Sequence, residues 1–259
     1  MPRVALALAL ALAALPARPG AAEDRLAVDE PVTAIVAGGA LTVWGGLALA
    51  KPWLAPAACR WCEPPALDRS ARAHLLWHDA EAASALSDGL VVGVPVALAA
   101  ADLVLARGDL HRAGQDALVV AEAVAVAGIA TEVSKYAIGR RRPYAQAAGV
   151  RHAADDDLSF VSGHTASAFA AAGAFGTVAR LRGDAAWPWI YGAGFAAAGF
   201  VGYLRMAADK HWLTDVASGA LLGTAVGVAM PLLLHRRAGD EAAVKLAVTP
   251  LPLGIVGTF

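Results

Sequence analysis

The sequence predicts an all-α protein built as a membrane helical bundle of about six apolar helices. Three observations carry that prediction. Hydrophobic residues make up 58% of the 259 residues and charged residues only 17%, where soluble domains run nearer about 45–50% and about 25%. The apolar residues fall in blocks as long as a bilayer-crossing helix, about 20 residues. Basic residues mark alternate connections between those blocks, the charge bias of membrane proteins, and those that also occur in the intervening stretches need another reason to be there. With 21 basic and 22 acidic residues the net charge is −1, which leaves no electrostatic footprint for nucleic acid.

The first block, residues 1–22, reads as a secretory signal. Arg3 supplies a basic start, Val4 to Leu15 form an apolar stretch, and Gly20-Ala21-Ala22 are small residues suited to cleavage. An uncleaved anchor is the alternative. Residues 23–84 then hold an apolar segment and an extracytoplasmic loop carrying both cysteines, Cys59 and Cys62, in "CRWC". A C-x-x-C pair can be redox-active, half of a zinc site or a structural disulfide, and in an exported loop an oxidised pair is favoured. The loop continues into a charged helical stretch, "DRSARAHLLWHDAEAASAL", which reads as one amphipathic surface helix with His74 and His78 on one face.

Six apolar runs follow the signal, at roughly 31–50, 87–106, 115–134, 163–181, 187–204 and 212–234. Gly219, Gly223 and Gly227 recur at every fourth position of the last run, a smooth stripe for close helix approach. Arg107 and Arg112, Arg180 and Arg182, and the "HRR" after the last run mark three connections as cytoplasmic. Connections 135–161 and 205–211 then lie outside. Parity creates a conflict: a cleaved signal would start residue 23 outside, and a full crossing by 31–50 would invert everything after it. Either 31–50 is not a full crossing, its glycine pairs Gly38-Gly39 and Gly45-Gly46 suiting a bent or re-entrant segment, or the N-terminus is retained in the cytoplasm. "DDD" at Asp155–Asp157 reads as a solvated loop, and the tail 237–259, with Pro250 and Pro252, as extended chain.

Chemistry-bearing residues gather in the two outer connections. In "KYAIGRRRP", Lys135 precedes Arg142-Pro143 by K-x6-R-P. Pro143 stops helix from continuing, so Lys135, Arg140, Arg141 and Arg142 crowd at a helix end, where an anion would relieve their repulsion. Arginine's planar fork suits phosphate and lysine adds a point charge. Ser162-Gly163-His164 opens a new helix, and free N–H groups at such an end attract anions. Arg205, His211 and Asp215 form R-x5-H-x3-D, with His211 and Asp215 on one helix face. A carboxylate on one imidazole nitrogen would leave the other free to attack. The parts suit phosphoryl transfer: cations for the equatorial oxygens, an oriented nucleophile and a second histidine as acid.

Together these motifs resemble the three-part signature of the phosphatidic acid phosphatase type 2 superfamily, which also includes the vanadium haloperoxidases. The resemblance covers roughly residues 85–236. It implies a helical-bundle core, six-spanning in the lipid phosphatases, with no metal or other cofactor and with vanadate binding the phosphate site as inhibitor. It further implies that His211 is the nucleophile, Asp215 its orienting partner and His164 the general acid, with Lys135, Arg142, Ser162, Gly163 and Arg205 as the phosphate cradle. Val161 stands where the family often has proline, and Leu204 where serine is common. The implied protein is a bacterial inner-membrane phosphatase with its site on the extracytoplasmic side. Its substrates would be lipid phosphates or diphosphates of the phosphatidate, polyprenyl diphosphate or phosphatidylglycerol phosphate class. A vanadate-dependent haloperoxidase, a soluble periplasmic acid phosphatase and a non-enzymatic membrane protein are the rival readings. All of it requires residues 135–215 to converge: a separation beyond about 10 Å between His211 and Arg142 would keep both from touching one phosphoryl group.

Overall fold

A computed structural model describes residues 24–148, 153–236, 245–248 and 255–258. The expected signal at 1–22 and most of the tail lie outside these. Nine α-helices are present among the described residues: α1 (Glu30–Leu49), α2 (Lys51–Leu54), α3 (Ala66–Leu75), α4 (Ala80–Leu105), α5 (Leu110–Ile138), α6 (Pro143–Ala148), α7 (Gly163–Leu181), α8 (Trp187–Ala207) and α9 (Leu213–Leu234). A 3-10 turn covers Ala154–Asp157. Beyond the bundle, β1 (Lys245–Val248) and β2 (Ile255–Thr258) pair antiparallel, so the extended tail closes on itself as a short hairpin.

All six apolar runs are helices, α1, α4, α5, α7, α8 and α9. Four of them, α1, α4, α5 and α9, are long and apolar enough to cross a membrane. α7 and α8 fall short because alanine, glycine and aromatic residues replace leucine and valine in them. In α7 the reason is its place: 15 of its 19 residues are buried among the other helices. The boundary expected at residue 85 falls inside α4, which begins at Ala80 behind an Asp79 cap whose carboxylate accepts from Ala82 N–H.

Small residues let these helices meet backbone to backbone, which matters where lipid offers no hydrophobic drive for association. A Cβ on Gly219 would sit 2.7 Å from the Ser162 carbonyl oxygen, and Gly223 and Gly227 face Ala166 and Ala170 of α7 in the same way. The expected glycine stripe of α9 is therefore the seam with α7. Around it Val94, Leu98, Ala123, Phe175 and Ile190 form the core.

The chain's two faces follow from its contacts. The end of α5 and the starts of α7 and α9 lie on one face. On the other, Arg25 N–H bonds Leu181 O, Ala27 N–H bonds His235 O, and Arg182 pairs with Asp24 and Asp116. Residues 24–28 thus sit with the far ends of α7 and α9, beside the arginine-rich connections. α1 runs from that face to the first as one 20-residue helix, its Leu47 carbonyl accepting from Tyr136 Oη at 2.6 Å. It is unbroken rather than re-entrant, and it delivers "CRWC" to the face that holds the three motifs.

Candidate active site

Gly139 ends α5 in the left-handed conformation, φ 58°, which glycine adopts without steric cost. That turn swings Arg140–Arg142 away from the helix axis and over the start of α9. Arg142 NH1 then lies 3.1 Å from His211 Nε2 and 2.9 Å from the Lys210 carbonyl oxygen. Two stretches far apart in sequence therefore meet within one hydrogen bond.

His211 precedes α9 and is buried. Its Nδ1 lies 2.8 Å from the Ser159 carbonyl oxygen. A carbonyl can only accept and a guanidinium only donate, so the two bonds assign the proton to Nδ1 and a lone pair to Nε2. Asp215 was expected to hold Nδ1 directly; its Oδ2 is 3.7 Å away, beyond hydrogen-bond length. Asp215 is instead held by Ser159 Oγ at 2.5 Å, Trp212 N–H at 2.9 Å and Arg140 NH1 at 2.5 Å. It orients the ring through Ser159, whose carbonyl is the group in contact. Burial, then the positive charges of Arg142, Arg205, Lys135 and His164, push the His211 pKa well below the ordinary histidine range.

The second motif opens α7. Ser162, at the N-cap, turns its hydroxyl to Thr165 Oγ1 at 2.9 Å rather than to the helix amides. Lys135, in the last turn of α5, is buried with its ammonium 2.7 Å from Glu132 Oε1. The same ammonium lies within 3.4 Å of where a Cβ on Gly163 would stand, so a side chain there would press on it. Arg205 ends α8, donating from NH1 to Ser87 Oγ and Asp88 Oδ1. Its Nε is buried without a hydrogen-bond partner. His164 is half-buried, its Nε2 2.7 Å from Asp88 Oδ1.

The crowded cations do not repel one another as expected, because carboxylates reach each of them. Arg140 pairs with Asp68 and Asp215, Arg141 with Asp157, and Arg142 with Asp155. The "DDD" run is therefore not a solvated loop: Asp156 and Asp157 are buried, and Asp156 accepts from Tyr144 Oη at 2.8 Å. Asp155 bridges Arg142 and Lys51. Burial opposes its ionisation, yet Arg142 and Lys51 hold its pKa down to about 2.

Cys59 and Cys62 are disulfide-bonded. The loop they close lies against the first motif, with Arg60 N–H and Trp61 N–H on the Gly139 carbonyl and Arg141 N–H on Trp61 O. The single helix expected over 68–86 is two, α3 and α4, broken at Leu76, whose ψ of 126° is extended. His74, bonded to Ser70 O, and His78 thus share no helix face. Among the described residues no group of three or more His, Cys, Asp or Glu is arranged to hold a metal ion. Asp68, Asp88, Ser159 and Arg140 were not assigned from sequence; only Arg140, within the arginine run, left a local signal.

The site thus brings lysine, two arginines, a glycine-led helix start and a histidine whose Nε2 faces Arg142 together in a helical bundle with four helices long and apolar enough to cross a membrane. Residues 116–238 match the PAP2 superfamily. A stretch of 112 residues is 37% identical to a protein named lipid A 1-phosphatase from Porphyromonas gingivalis, covering 42% of this chain and 22% of that protein. The chain therefore matches about a fifth of that relative's length. No solved structure matches it.

Proposed function

We propose that the protein is a lipid phosphatase that cleaves a phosphate or diphosphate ester through a phosphohistidine on His211. One observation carries the reading: Nε2 of His211 bears a lone pair, 3.1 Å from the Arg142 guanidinium, while Nδ1–H is tied back to Ser159 O. A nucleophile aimed at a phosphate-binding fork is what in-line phosphoryl transfer needs. Nε2 attacks phosphorus and the bond to the leaving oxygen breaks, with protonated His164 supplying that oxygen's proton. Neutral His164 then takes a proton from water as the oxygen attacks phosphorus, the P–N bond breaks, and phosphate leaves. Lys135, Arg142, Arg205 and the α7 amides hold the equatorial oxygens throughout. No step asks for a metal, and vanadate would occupy the same cradle.

The apolar helices and the likeness to a lipid A phosphatase support a membrane-embedded substrate. Phosphatidate, polyprenyl diphosphate, phosphatidylglycerol phosphate and lipid A phosphates share the phosphoryl group the cradle would bind. We place the site on the extracytoplasmic face of a bacterial inner membrane, because the arginine-rich connections lie on the other face. Residues 24–28 lie with those connections. A cleavage near Ala22 that freed residue 23 to the exterior and an extracytoplasmic site therefore exclude each other, and we retain the latter.

The test is phosphate release from a panel of lipid phosphates in detergent with chelator present. Wild type should turn over and His211→Ala should lose at least ~10³-fold in kcat. Acid-quenched wild type should carry an acid-labile phosphoryl group that the variant lacks. Turnover only with an added divalent cation, or halide oxidation with vanadate and peroxide in its place, overturns the reading.

A further inference from the structure

Behind the nucleophile, a part of the chain outside the three motifs joins the site. Asp68 of α3 and Asp215 of α9 are both fully buried, with Arg140 between them. Arg140 NH2 donates to Asp68 Oδ2 at 2.5 Å, and NH1 donates to Asp215 Oδ1 at 2.5 Å and to Thr214 Oγ1 at 2.7 Å. Asp68 also accepts from Thr214 N–H at 2.9 Å and from its hydroxyl at 2.7 Å. α3 is thereby stitched to the first turn of α9, three residues after His211.

The disulfide loop holds this arrangement from outside. The Arg140 guanidinium lies 3.9 Å over the Trp61 ring, a cation–π contact. The same ring is 5.9 Å from Phe160, which leads into Ser162-Gly163-His164. Trp61 thus touches the end of the first motif and the approach to the second.

Charge gives the arrangement its meaning. Two carboxylates share one guanidinium, so the buried cluster carries one net negative charge, and Asp215 Oδ2 stands 3.7 Å from His211 Nδ1. Burying an unbalanced carboxylate is costly unless a cation appears beside it. Attack by Nε2 makes the imidazole positive, which is that cation. On the other side of the ring, Arg142, Lys135, Arg205 and His164 all disfavour positive charge, so the cluster is its counterweight.

Resting on the phosphohistidine reading above, we propose that Asp68 and Arg140 are positioning residues for the nucleophile: they fix Asp215 and leave one net negative charge beneath Nδ1 of His211. Asp68 touches neither substrate nor imidazole and acts through Arg140 and Asp215. Replacing it with asparagine leaves Arg140 wholly to Asp215 and neutralises the cluster.

Asp68→Asn should lower kcat on dioctanoyl phosphatidate micelles by about 10- to 100-fold, the scale of outer-sphere partners. KM and the vanadate inhibition constant should stay within about threefold, because the cradle is untouched. The acid limb of kcat should move to lower pH, because the imidazolium has lost its counter-charge. A purely structural role would move none of these selectively. If Asp68→Asn is not recovered folded, Arg140→Lys, which keeps the charge but loses the fork that fixes Asp215, should lower kcat by a similar factor with KM and vanadate inhibition unchanged and the acid limb unmoved. Wild-type kcat in either variant overturns the proposal, as does an unmoved acid limb in Asp68→Asn or a parallel loss of turnover and vanadate binding. Failure of the parent reading shows differently, as wild type with no His211-dependent phosphate release, and it takes this inference with it.

Discussion

Asp88 Oδ1 lies 2.7 Å from His164 Nε2, and the same oxygen accepts from Arg205 NH1 at 3.0 Å. One carboxylate atom thus joins the proposed general acid to a proposed cradle arginine. An incoming phosphoryl oxygen competes with it for Arg205, while His164, whose pKa burial and Arg205 lower to about 4, has in Asp88 the group that favours its protonated form. The two effects oppose each other. Asp88→Asn should tighten vanadate inhibition several-fold, since Arg205 is released to the oxyanion, and lower kcat by about 10-fold as the acid weakens. Inhibition constants and turnover from one preparation decide it. If kcat falls without a fall in the vanadate inhibition constant, or the inhibition constant falls with kcat unchanged, Asp88 does not play this double part.

The burial of His211 sets the pH dependence. Its folded-state pKa is pushed well below the ordinary value, first by burial and then by Arg142, Arg205, Lys135 and His164. The neutral, nucleophilic form therefore persists below about pH 6.5, where a free histidine would protonate. The acid limb of kcat/KM, which reports free enzyme, should show no break near pH 6.5 from this residue. A bound phosphate dianion offsets the cations and raises the pKa, so the acid limb of kcat should lie at higher pH than that of kcat/KM. For stability the sign is equally fixed. Below the unfolded-state pKa of about 6.5 the unfolded chain binds a proton that the native state refuses, so stability falls as pH drops through that point. Paired pH profiles of kcat, kcat/KM and unfolding midpoint, for wild type and His211→Gln, measure all three.

The proposed phosphate-handling residues were legible because their chemistry is packed into short spacings. K-x6-R-P, S-G-H and R-x5-H-x3-D each announce charge or a helix start where an apolar run ends, and His211 and Arg142 do meet. The six helices were legible for the same kind of reason, since apolar blocks are contiguous. What holds the site was not. Asp68 reaches Arg140 across 72 residues and Thr214 across 146, and His164 reaches Asp88 across 76. No period or motif joins such pairs. The "DDD" run misled because three adjacent carboxylates look solvated unless the arginines that bury two of them are known. α3 misled in turn, because the break at Leu76 is set by a packing contact, Trp77 N–H on Ala207 O, rather than by a proline or glycine.

The α7–α9 seam ties packing to activity. A Cβ on Gly219 would stand 2.7 Å from the Ser162 carbonyl oxygen, which itself accepts from Ala166 N–H at 2.9 Å in the first turn of α7. A backbone carbonyl cannot rotate away as a side-chain end can, so the two helices must part. Gly219→Ala should therefore cost about 1–3 kcal/mol of stability. It should also lower kcat, because Ser162, Gly163 and His164 move with the displaced turn. Gly199, in α8, is the matched control. Nothing lies within 4 Å of its Cβ position, so Gly199→Ala should be neutral or gain up to ~1 kcal/mol from helix propensity. Thermal unfolding in detergent and phosphate release, measured on both variants, should separate them. Equal behaviour of the two would mean that the seam yields, and that the position of the Ser162–His164 turn does not depend on it.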